Sequence, residues 1–141
     1  MAEDKIHLQI VTQQGTVLDQ MVHYVSIPLE NGSVVILQDH QPMLAAVVDG
    51  TLRCEQNIDN DVQTYYIYVG TGVVSVDRNH IITLVRDAAR SEDIDLDRAK
   101  RAAEAAEMNL KTEKDNPEEI DHLKRAMARI KTKELSSQKQ E

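Results

Sequence analysis

The chain has 141 residues, enough for one domain and an appendage. Its 24 acidic side chains outnumber 16 basic ones, for a net charge of −8; with no Phe or Trp and only four Tyr, this excludes the basic footprint and the stacking platforms of a general nucleic-acid binder. Cys54 is the only cysteine, so no internal disulfide forms, and a reducing compartment fits. The start, MAEDKIHLQI, has neither a basic n-region nor a long apolar run. The expectation is no signal peptide, no Arg-rich transit peptide and no membrane span.

Residues 1–88 read as short strands. Ile6, Leu8 and Ile10 alternate with His7 and Gln9, the period of a half-buried strand. Gln14-Gly15 turns the chain, and Val25, Ile27 and Leu29 alternate again. Asn31-Gly32 marks a hairpin, because both residues tolerate positive φ. Apolar runs follow at 34–37, 43–48, 65–69, 73–76 and 81–85, separated by turn residues. Turn signals every 8–12 residues or so predict an antiparallel β-sandwich or barrel. Within it, Asp39-His40 reads as a polar turn before Pro42. A catalytic pair is disfavoured, since neighbours in an extended chain point apart and no nucleophile elbow lies nearby. Gly70-Thr71-Gly72 lacks the third glycine and the following helix of a dinucleotide loop. No P-loop, HExxH or CxxC motif is present, and the sequence offers no enzyme active site.

After Arg90 the pattern changes to helix. SEDIDLDRAKRAAE spaces Asp93, Asp95, Asp97 and Glu104 like an EF-hand loop, but Arg98 holds the sixth position, where that loop turns on Gly. The strong helix formers that follow make this a helix start, with carboxylates at the positive end of the dipole. Leu96, Ala99, Ala103, Ala106 and Leu110 form a heptad-like seam. After KTEKDNP, Asn116 suits an N-cap, Pro117 the first helical position and Glu119 a capping box. A second seam at Ile120, Leu123, Met127 and Ile130 completes an antiparallel two-helix hairpin over 89–135, with 136–141 expected to be a disordered tail. Alanine buries little, each missing CH₂ forgoing about 0.8 kcal/mol, so the hairpin is expected to dock weakly and to move. Its second helix runs from acidic to basic, with six basic and two acidic side chains in 122–141. Arg125, Arg129 and Lys133 sit four apart, opposite the seam. They are either a solvated face or a surface for an acidic partner or a phosphate.

This β-sandwich with an Ala-rich hairpin resembles the epsilon subunit of bacterial F-type ATP synthase. Residues 35–44, VILQDHQPML, resemble the family segment G-I-L-P-G-H-x-P-L-L. Ile94-Asp95-Leu96-Asp97-Arg98-Ala99 matches I-D-x-x-R-A at the first helix, and LKRAMARI, residues 123–130, resembles the second-helix motif. Val35 and Asp39 stand where the family usually has glycines, Thr71-Gly72 replaces a Gly-Gly pair, and Ala89 stands where some nucleotide-binding members have Glu.

The resemblance implies a non-catalytic central-stalk subunit of a proton-translocating enzyme. Its β-domain would bind the gamma subunit and the c-ring, with Asp39 and His40 as the candidate rotor-contact loop. The hairpin would switch between folded and extended states and, when extended, block ATP hydrolysis. Arg125, Arg129, Lys131 and Lys133 are the candidate contact with the acidic C-terminal region of the beta subunit. No cofactor is required, but a regulatory ATP would meet Asp95, Arg98, Arg125 and Arg129. The place implied is the cytoplasmic face of the bacterial cell membrane, reached through partners. The rival reading is a β-sandwich adaptor or binding module of another complex, and co-purification with gamma separates the two.

Overall fold

The computed structural model describes residues 3–139. Strands β1 (Ile6–Thr12), β2 (Gly15–Val22), β3 (Tyr24–Leu29), β4 (Gly32–Ile36) and β5 (Met43–Val47) lead into the long hairpin β6 (Gly50–Ile58) and β7 (Asp61–Val69). Then come β8 (Gly72–Asp77), β9 (His80–Val85) and β10 (Ala88–Arg90). They form one ten-stranded sheet in the order β10-β7-β6-β3-β5-β8-β9-β1-β2, with β4 paired to β3. The pairing is antiparallel except where β1 lies parallel to β9, a departure from the all-antiparallel expectation.

Alternation sets the core. Ile6, Leu8 and Ile10 point inward from β1 and meet Leu18, Val22, Ile27, Leu52, Ile67 and Ile81 at almost no exposure. Each such side chain contributes about 1.5–3 kcal/mol on burial, which is how a chain without Phe or Trp still fills a stable centre. Cys54 is wholly buried in this core, and burial pushes its thiol up to about 12, so it presents no reactive thiolate. At Gly72 a Cβ would collide with the backbone of Leu84 and Val85, so the second glycine of the family's pair is needed, while Thr71 beside it is exposed.

A 3₁₀ turn (Ser91–Asp93) joins the sheet to α1 (Leu96–Thr112) and α2 (Pro117–Lys139). Asp95 is the α1 N-cap and accepts from the Arg98 backbone N–H at 3.1 Å. Asn116 caps α2, accepting from the N–H of Glu118 at 3.0 Å and of Glu119 at 3.5 Å. The α1 seam is buried at Ala99, Ala103 and Ala106, as its spacing predicts. Three expectations shift. The β-domain runs past 88, because β10 pairs with β7. Helix α2 continues to Lys139, so 136–139 are helical and not a disordered tail; 140 and 141 lie outside the described residues. The α2 seam is rotated, with Ile120 and Met127 exposed and Ala126 and Thr132 buried.

Candidate functional site

The rotation of α2 has a cause in its charges. Asp121, Arg125, Arg129 and Lys133 recur every four residues, one stripe along the helix, and that stripe faces the β-domain instead of solvent. Asp121 binds Arg86 through two contacts, 3.2 and 3.3 Å. Arg125 and Arg129 both donate to Asp87 Oδ2, at 3.0 and 2.7 Å. Lys133 Nζ donates to the Ser91 carbonyl at 2.9 Å, and the Thr51 and Thr132 hydroxyls meet at 2.7 Å. Opposite-face placement on an isolated helix therefore does not mean exposure: the ionic partners sit on the sheet.

Asp87 is the centre of this contact. Its Oδ2 also accepts from the Tyr68 hydroxyl at 3.2 Å, while Arg129 lies over the Tyr68 ring at 4.6 Å. Burial, with the neighbouring Asp87 charge adding to it, pushes the Tyr68 phenol up to about 12, so the hydroxyl stays a donor. The Gly70 N–H donates to the Asp87 carbonyl at 2.8 Å, and a Cβ at Gly70 would strike Asp87 Oδ1. Asp49 sits nearby, 3.6 Å from Arg86, and desolvation raises its carboxyl above the usual range.

Beside the contact lies a cleft of about 420 Å³ lined by Ala89, Asp93, Ile94, Asp95, Arg98 and Arg129 among others. Three of the four candidate nucleotide residues, Asp95, Arg98 and Arg129, thus converge. Arg125 does not line the cleft and is joined to it only through Asp87, which it shares with Arg129. The four α2 residues proposed as a partner contact, Arg125, Arg129, Lys131 and Lys133, do not form one surface either. Lys131 lines a separate, larger cleft of about 1020 Å³ with Arg53, Tyr66, Leu123 and Met127, while the other three reach the β-domain. Asp39 and His40 occupy the β4–β5 turn. Asp39 has φ 64, the left-handed region that glycine fills easily and Asp tolerates, which accounts for Asp at a position where the resembling motif has Gly. Its N–H donates to Asn79 Oδ1 at 2.8 Å, and His40 Nδ1 hydrogen-bonds the Gln41 carbonyl at 2.7 Å.

Tyr68, Arg86, Asp87 and Asp121 were not singled out by the sequence; the period-four charges of α2 were the available signal for where their partners lie. Equally unsignalled is an apolar row across the outer sheet face. Ala46 pairs with Val73 and Val73 with Leu84 across β5, β8 and β9, and Leu44 beside them is 76% exposed.

A mostly antiparallel β-domain carrying a two-helix hairpin on a polar contact defines a class of protein, and residues 5–91 match the family described as ATP synthase, Delta/Epsilon chain, beta-sandwich domain. An ATP synthase epsilon chain of Nitratidesulfovibrio vulgaris (strain DP4) is 36% identical over 137 residues, covering 93% of this chain and 97% of the relative. The chloroplastic ATP synthase epsilon chain of Panax ginseng is 32% identical over 130 residues, 90% of each. This chain belongs to the ATP synthase epsilon chain family, and so is a subunit of that complex. A chain in the cryo-EM structure of the Euglena gracilis mitochondrial ATP synthase, OSCP/F1/c-ring, superposes on all of this chain and 84% of its own with TM-score 0.66; at 16% identity that likeness speaks to the fold. Among the described residues no helix is long and apolar enough to cross a membrane.

Proposed function

We propose that this epsilon chain is a non-catalytic central-stalk subunit of a proton-translocating F-type ATP synthase, and that its hairpin regulates ATP hydrolysis. The observation that carries this reading is the division of labour between the two parts. The β-domain presents the apolar row of Leu44, Ala46, Val73 and Leu84, suited to a lasting contact, while the hairpin is held by ion pairs that water can replace. The row is the docking face for the gamma subunit, and the Asp39–His40 turn meets the c-ring. Release of α2 frees Arg125, Arg129 and Lys133 to join Lys131 against an acidic surface of the beta subunit. The subunit is held at the cytoplasmic face of the bacterial membrane through these partners.

A regulatory ATP is proposed for the cleft at Asp95, Arg98 and Arg129, whose volume lies within the range of small-molecule pockets. Arginines pair with phosphate oxygens, and Asp95 can accept from a ribose hydroxyl or adenine amine with the oxygen its cap leaves over. Ala89 supplies no carboxylate there. The test is reconstitution of the ATPase with and without this chain. Hydrolysis is expected to be lower with it, and to rise when Arg125, Arg129, Lys131 and Lys133 are changed together to Ala. Equal hydrolysis with and without the chain overturns the regulatory reading. On the isolated chain, calorimetric titration with ATP is expected to lose about ten- to a hundredfold in affinity on Arg98→Ala. An unchanged affinity moves the site elsewhere.

A further inference from the structure

We propose that Asp87 is the latch that keeps the hairpin on the β-domain, and that it is the positioning residue that holds Arg129 at the wall of the cleft. The inference rests on the reading of a movable hairpin and specifies what holds it.

The contact is charge-balanced, and the large side chain buried beneath it is Tyr68. From the β-domain come Asp49, Arg86 and Asp87; from α2 come Asp121, Arg125 and Arg129. Three acids face three bases. The small Ala126 and Thr132 are the fully buried α2 residues beside them. Undocking uncovers the Tyr68 ring, while the charges regain water. Such a contact depends on geometry as well as on burial, and its geometry converges on one atom. Asp87 Oδ2 takes donors from Tyr68, Arg125 and Arg129, two of them charged. Both guanidinium groups lie within hydrogen-bonding reach of that single oxygen, so they also lie close to each other. Remove the shared anion and two like charges confront each other across the contact.

Asp87 is itself rigidly placed. Its carbonyl is tied to Gly70, and the missing Cβ at Gly70 makes room for its carboxylate. It belongs to the β9–β10 link, so it stays with the β-domain when the helix leaves. Arg129 is the α2 residue that lines the cleft, opposite Arg98 of α1 and Ala89 of β10. The cleft is complete only while Arg129 is held there, and the 2.7 Å bond to Asp87 together with the Tyr68 ring does the holding. An anion in the cleft then binds the docked form, and docking and anion binding reinforce each other.

The test uses hydrogen exchange on the full chain, followed amide by amide. Asp87→Asn keeps the shape and removes the charge. In this variant the α2 amides are expected to exchange about ten- to a hundredfold faster, the weight of a charged hydrogen bond, while amides of β1 and β3 keep their protection. Added salt is expected to speed α2 exchange in the wild type and to have less effect in the variant. The double variant Arg125→Gln/Arg129→Gln, which leaves the sheet untouched, is expected to reproduce the effect, and adding Asp87→Asn to it to change little further. Tyr68→Phe, which keeps the ring beneath Arg129, is expected to cost less than Asp87→Asn. Unchanged α2 protection in Asp87→Asn overturns the proposal. So does loss of α2 and β-strand protection by one common factor, which marks a merely structural residue, and so do effects of the acid and base variants that simply add. Because exchange is read on the isolated chain, a hairpin that never inhibits hydrolysis leaves this result standing, and a failed latch leaves the reconstitution result standing.

Discussion

The two halves of this molecule are built to different standards of permanence. In the β-domain, Leu8, Ile10, Ile27, Leu52 and Ile81 are all wholly buried, each filling volume that nothing else can fill. In helices α1 and α2, the buried side chains among the described residues are Ala99, Ala103, Ala106, Ala126 and Thr132, and the contact with the sheet is closed by Asp87, Arg125 and Arg129. Large apolar side chains leave a cavity when disturbed; small ones and hydrated ions do not. The comparison teaches that composition alone separates a part held by large buried side chains from a part held by small ones and charges.

The largest effect expected from breaking that scheme is in the sheet. Leu8→Ala should destabilise the whole chain by about 2–5 kcal/mol, through lost burial and the cavity left in a packed core. Chemical denaturation checks this. If Leu8→Ala lowered only the stability of the helices, the main core would have been assigned to the wrong half.

A smaller effect is expected from removing the hairpin altogether. Truncation after Asp93 keeps β10 and the 3₁₀ turn and strips Asp87 and Arg86 of their helical partners. The remaining β-domain should still unfold in one cooperative transition, less stable by about 1–3 kcal/mol, the worth of a few part-buried polar contacts. Thermal melting with far-ultraviolet detection reads it. A truncated chain without a cooperative transition would mean that the two halves share a core.

Much of this comparison could be read in the sequence, for physical reasons that differ by region. The strand pattern of β1, the Asn31-Gly32 turn and the α1 alanines depend on local periodicity, and local periodicity is what a sequence displays. Strand β6 was harder to read because Arg53, Glu55 and Gln56 interrupt its apolar residues; only Leu52 and Cys54 point fully inward. The orientation of α2 was misjudged for a related reason. Counting apolar residues put Ile120 and Met127 inside, but the sheet offers this helix Asp87 and Arg86, so its charged stripe turns inward and those two residues turn out. A partner 38 or 42 residues away, beyond a strand and a whole helix, leaves no local trace. For the candidate site the outcome is divided in the same way. The I-D-x-x-R-A match located Asp95 and Arg98, whereas Asp87, which organises the helical arginines, sits in VRDAAR without any motif.

The smallest predicted effect concerns Asp49, where the β-domain meets the hairpin with a charge that is buried and incompletely matched. Its side chain is 10% exposed, Arg86 approaches it only to 3.6 Å, and that arginine is engaged more closely by Asp121. Desolvation therefore outweighs attraction, and the carboxyl titrates above its ordinary range in the folded chain. A folded-state value above the unfolded one means that, between the two, the native protein binds more protons than the unfolded chain. Stability carried by this group consequently falls as pH rises through that window, and is recovered as pH drops below it. Asp49→Asn should change stability at neutral pH by less than about 1 kcal/mol, since removing a poorly hydrated charge offsets the weakened contact with Arg86. The difference between the wild type and this variant should move in favour of the wild type as pH is lowered into the acid range, while the exposed carboxylates contribute equally to both. Paired denaturation curves at a series of pH values isolate it. A difference that moves the other way, favouring the wild type as pH rises, would show that Arg86 stabilises the carboxylate more than burial penalises it. The contact between the two halves would then be stronger than its polar make-up implies.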